Sequence, residues 1–81
     1  MDATIRFYKR KFKNALEPML VMLLNHKDTM SDDSWVTHVQ DIQTHVMNNP
    51  VEFLGRNLPP ATTVKEIVAL IFKQFVRERY R

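Results

Sequence analysis

His38, Asp41 and His45 are spaced by three and four residues. On a helix that spacing puts two imidazoles and a carboxylate on one face, a set that can ligate zinc. No fourth ligand stands at a matching position, and ligand spacing alone is a weak signal. The three residues read better as a solvated polar face, so no metal and no cofactor are expected. Nucleophilic catalysis needs a serine beside a base and an oxyanion hole. Ser31 and Ser34 instead belong to Ser31-Asp32-Asp33-Ser34, which reads as a helix start. Asp32 and Asp33 are adjacent, with no pocket in view to tune them for proton transfer. The chain has no cysteine, which removes thiolate ligands, thiol nucleophiles and disulfides. No enzyme is expected.

Arg6-Phe7-Tyr8-Lys9-Arg10-Lys11-Phe12-Lys13 is the most charged segment. Basic side chains there can contact phosphates, and the interleaved aromatics can stack on bases. The net charge of +3 is unevenly spread. Residues 1–13 hold five basic residues against Asp2, residues 14–72 hold three against seven acids, and residues 73–81 hold four against Glu78. A nucleic-acid interface would therefore use Arg6, Lys9, Arg10 and Lys13 with Arg77, Arg79 and Arg81. The plainer reading is an amphipathic helix with Phe7 and Phe12 toward a core and its basic side in water.

Both readings need helices to position these residues. The 81 residues form one domain, 1–81. Hydrophobic content of 44% with 26% charge fits a folded chain. A chain of this size buries only roughly 60–65% of its unfolded surface, so a second copy or a partner would help complete it. A single glycine, Gly55, argues against tight hairpins and phosphate-cradling loops. The longest apolar run, residues 19–24, is too short to span a bilayer, and no membrane partner is expected. The absence of cysteine leans to an intracellular location.

The fold class is all-α, a small bundle of four to five helices. The first run covers about residues 4–25, with a break or kink expected near Glu17 because Pro18 follows. After a polar connection, a helix begins at the Ser31–Ser34 cluster and runs to about Met47. Asn49 reads as the cap of a short helix from Pro50 to about Leu58, stopped by Pro59-Pro60. Thr63-Val64-Lys65-Glu66 reads as a capping box for the last helix. That helix is apolar over more than half its circumference. It is either the centre of the bundle or packed against another chain. The core is built from Phe12, Leu16, Leu20, Leu24, Trp35, Val39, Ile42, Phe53, Leu54, Ile67, Ile71 and Phe75.

Val36, Val39 and Ile42, then Asn49-Pro50, then Val51-Glu52-Phe53-Leu54 and Leu58 give Trp35–Leu58 a recognisable outline. It resembles the dimerisation-and-docking helix pair of the protein kinase A regulatory subunit and the related Dumpy-thirty proteins. That resemblance implies an antiparallel four-helix dimer whose groove accepts an amphipathic helix. Val36, Val39 and Ile42 would line groove and dimer core, and Phe53 and Leu54 would lock the second helix. The chain departs from the pattern at Val46-Met47-Asn48 and at Gly55, and its flanking helices could fill the groove in cis. A fainter likeness, through Trp35-Val36, Val64, Ile71 and Phe75, is to the small helical adaptor of the SAGA deubiquitinating module.

The function expected is a non-enzymatic protein–protein interaction module, an adaptor or regulator that binds another protein through an amphipathic helix, as a homodimer. Partner contacts are expected at Trp35, Val39, Ile42, Phe53, Leu54, Ile71, Phe72 and Phe75. The alternative is nucleic-acid binding through the basic ends.

Overall fold

Helix α1 spans Ala3–His26 in the computed structural model, which describes residues 3–79. Its buried residues are Phe12, Leu16, Leu20 and Leu23, one face of a 3.6-residue repeat. The helix does not break before Pro18, as the sequence suggested it would. Proline removes one backbone bond and crowds the carbonyl four residues earlier. Asn14 and Pro18 are both exposed, so the carbonyl left without its partner faces water and the interruption is tolerated.

A 3-10 turn, Lys27–Thr29, follows directly. The Thr29 hydroxyl donates to the His26 carbonyl at 2.8 Å, closing one of the open carbonyls at the end of α1. Helix α2 spans Asp32–Asn48. Ser31 caps it as expected: its hydroxyl accepts from the Ser34 amide at 3.2 Å, with Asp32 and Asp33 in the first turn.

Helix α3 is shorter than expected, Pro50–Leu54. The cause is Gly55, with φ 91° and ψ 179°, a conformation open essentially to glycine alone. The Gly55 amide still closes on the Val51 carbonyl at 3.1 Å, and the chain then leaves the helix four residues before the prolines. Asn49 does not cap α3 with its side chain either. Its Nδ2 donates backwards to the His45 carbonyl at 3.0 Å, so it closes α2 instead.

Helix α4 spans Ala61–Arg79 and starts two residues before the expected cap. The Val64 amide bonds the Pro60 carbonyl at 3.0 Å, which leaves Thr63 inside the first turn. The capping box is therefore not formed. The broad apolar surface of α4 has a single explanation here: α4 packs on both α1 and α2 and is the central helix.

One hydrophobic cluster joins all four helices. Trp35 sits at its heart, fully buried, with its ring 5.5 Å from that of Phe75. Its Nε1 donates to the Leu23 carbonyl at 3.3 Å, so a polar group that burial would otherwise strand is satisfied. Of the expected core, Leu24, Ile42 and Phe53 are only partly buried, while Leu23, Val46, Val64, Val68 and Phe72 are buried in addition.

Candidate docking groove

The residues expected to contact a partner are mostly not on the surface. Trp35, Val39, Leu54, Ile71, Phe72 and Phe75 are all buried within the chain's own core. Only Ile42 and Phe53 remain half-exposed. This corrects the sequence-based assignment. The helices of a single chain satisfy these apolar faces, because α4 covers both α1 and α2.

What remains open is the seam between α2 and α4. Val36, Gln40, Gln43 and Met47 recur at spacings of four, three and four, and so do Lys65, Ala69, Phe72 and Val76. Each set lies along one side of its helix. The two helices run antiparallel, and the two sets face the same furrow. At one end half-buried Val36, Ala69 and Val76 line a hollow of about 310 Å³ that overlies the fully buried Val39 and Phe72. At the other end Met47, Leu58, Pro59, Ala61 and Val64 line a second hollow of about 160 Å³. Val36 to Met47 is eleven residues, roughly 16 Å along the axis, or three helical turns.

The rim has a sign. Lys73 and Arg77 edge the first hollow and Lys65 the second, while α2 contributes the neutral Gln40 and Gln43. Among the described residues no carboxylate lines either hollow. The furrow is therefore an apolar floor with a cationic edge. Its signal in the sequence was the paired four-three-four repeat, which reading Gln40 and Gln43 simply as a polar face conceals.

Among the described residues the basic side chains expected to bind nucleic acid are placed on two helices. Arg6, Arg10 and Lys13 are exposed at spacings of four and three on one flank of α1, and Lys9 is half-buried. Lys13 reaches a cleft beside Ile71, Gln74 and Phe75, while Arg6 lies roughly 10 Å further along α1. Arg77 turns to the α2 side, onto the furrow. Arg81 and Tyr80 lie outside the described residues, as does the side chain of Arg79.

Among the described residues no group of three or more histidines or carboxylates is placed to hold a metal ion. The His45 ring instead stands edge-on to Phe53, with centroids 5.2 Å apart. A polar hollow runs past Ser31, Ser34, His38 and Asp41, open to solvent. It gathers no nucleophile–base pair within bonding distance. No helix among the described residues is long and apolar enough to cross a membrane. Comparison with protein-family models, with curated proteins and with solved structures finds no match to this chain.

Proposed function

We propose that this chain is a non-enzymatic protein–protein interaction module, an adaptor or small regulator that takes an amphipathic helix of another protein into the α2–α4 furrow. The observation that carries the reading is the half-buried apolar surface of Val36, Ala69 and Val76 edged by Lys73 and Arg77. A helix laid in such a furrow inserts apolar residues at spacings of three and four and turns its flank to the rim. The described residues of that rim are cations and amides, and the flank that fits them is acidic. An intracellular setting belongs to this proposal and rests on the cysteine-free composition.

A three-turn amphipathic peptide with an acidic flank is the direct probe. Titrated into labelled protein, it is expected to shift the amides of Val36, Gln40, Gln43, Ala69 and Val76. Val76→Asp and Lys73→Glu change half-buried and exposed positions. Each is expected to weaken the peptide about tenfold or more, roughly 1.4 kcal/mol, without unfolding the chain. Shifts centred on another surface, or an affinity indifferent to both variants, would remove the furrow as the site.

A second reading is favoured by the exposed row Arg6, Arg10 and Lys13. If that row binds nucleic acid, retardation in low salt should fade steeply as salt rises. Replacing the three with alanine should flatten that dependence. The absence of any retarded DNA or RNA at low salt would dismiss it.

A further inference from the structure

The two hollows of the furrow differ in size and in chemistry. The one at the Val36 end, about 310 Å³, is nearly twice the one at the Met47 end, about 160 Å³. Ala69 opens the larger hollow. It is the only small residue in the two rows that face the furrow, and it is half-buried between Val36 and Val76. A longer side chain there would project into the space. An apolar cavity of about 150 Å³ already admits a benzene ring. The larger hollow therefore has room for a fused pair of rings.

Its edges carry two kinds of polar group. Exposed Lys73 and Arg77 stand on the α4 side, and the amides of Gln40 and Gln43 on the α2 side. A cation beside an apolar wall is attracted to the face of an aromatic ring, and a guanidinium also stacks flat on it. An amide oxygen accepts from an indole N–H. An aliphatic side chain would use the walls and neither edge. Among the described residues the smaller hollow offers Lys65 as its single cation and no side-chain amide.

We infer that the larger hollow is the anchor site for an indole, the tryptophan side chain of the docked helix. Val36, Ala69 and Val76 surround the ring, Lys73 or Arg77 lies against its face, and Gln40 or Gln43 accepts its N–H. The smaller hollow takes an aliphatic residue about three turns along the same helix. Binding energy concentrates on such anchors, with tryptophan prominent among them. The inference rests on the reading of the furrow as a helix-docking site and names the side chain that decides which helices dock.

Two probes test it. N-acetyltryptophanamide, titrated into isotopically labelled protein, is expected to shift the amides of Val36, Ala69 and Val76 and to leave that of Val64 in place. N-acetylleucinamide at the same concentration should shift none of them. In parallel, three-turn acidic amphipathic peptides that differ only in the anchor, tryptophan or leucine, are compared. The tryptophan peptide is expected to bind tenfold or more tighter. Ala69→Leu fills the hollow with a residue that suits a helix equally well. It should abolish the shifts from N-acetyltryptophanamide and bring the tryptophan peptide down to the leucine peptide's affinity, with the helical melt unchanged. Arg77→Gln, at an exposed side chain, tests the site without touching the packing. It should cost the tryptophan peptide about two- to fivefold and the leucine peptide nothing. A leucine peptide that binds as well as the tryptophan one overturns the indole anchor and leaves the furrow standing. Shifts from N-acetyltryptophanamide at these amides with no peptide bound would support the indole site and sink the helix-docking reading. Silence or shifts elsewhere from N-acetyltryptophanamide overturn the inference, as does a tryptophan peptide indifferent to both variants.

Discussion

Trp35→Ala is expected to lower the unfolding free energy by about 3–5 kcal/mol, the usual loss for emptying a buried aromatic site. Trp35 is fully buried and packs against Phe75, so the cavity opens where three of the four helices meet. The substitution also removes the indole N–H bond to the Leu23 carbonyl. Domains of this length carry total stabilities on the order of 4–12 kcal/mol. The variant should therefore be near or past its folding threshold at room temperature. Urea unfolding followed by far-ultraviolet circular dichroism measures this directly. Trp35→Phe is the control: it keeps most of the ring and loses the donor, at about 1–2 kcal/mol. A loss below about 1 kcal/mol for Trp35→Ala would contradict the central placement of the indole.

Phe72→Asp should unfold the chain outright, whereas Val76→Asp, one turn away, should leave it folded. Phe72 is fully buried, and a carboxylate there would have to enter the core without a partner. The loss of the ring and the burial of a charge together exceed about 5 kcal/mol. Val76 is half-buried at the rim, where a carboxylate can turn to water or to Lys73 and Arg77. The pair separates two views of α4. If Phe72 served a partner and not the chain's own core, Phe72→Asp would fold normally and lose only assembly. A cooperative melt of wild-type midpoint for Phe72→Asp would sink the core assignment. Loss of helicity for Val76→Asp would remove the seam as an open surface.

The helical class was legible because apolar residues recur at helical spacing throughout. The start of α2 was legible because Ser31, Asp32 and Asp33 act locally, through a hydroxyl and two carboxylates near free amides. The errors came where two local rules competed. Asn49 can cap a following helix or close a preceding one, and sequence alone does not rank them. Gly55 and Pro59 both end helices, and the one reached first in the chain prevailed. Thr63 and Glu66 have capping-box spacing, but the Pro60 carbonyl accepted the Val64 amide and started the helix earlier. Pro18 broke nothing because Asn14, whose carbonyl loses its partner, is exposed, which depends on where the core lies.

The site was less legible than the fold, for one physical reason. An apolar side chain is buried equally well by its own chain or by another, so Trp35, Val39, Ile71, Phe72 and Phe75 announced burial without saying against what. The furrow lies one step around each helix from those residues. There, mixed neighbours such as Gln40, Ala69 and Lys73 dilute the hydrophobic signal.

The central position of α4 also bears on the order in which the chain becomes structured during synthesis. Helices α1, α2 and α3 leave the ribosome first, yet the core faces of α1 and α2 are closed chiefly by α4. Until Ala61–Arg79 emerges, Leu16, Leu20 and Val39 have only the short α3 to pack against. The nascent chain is then a string of amphipathic helices, open to chaperones and to early pairing between neighbouring chains. Its folding waits on α4.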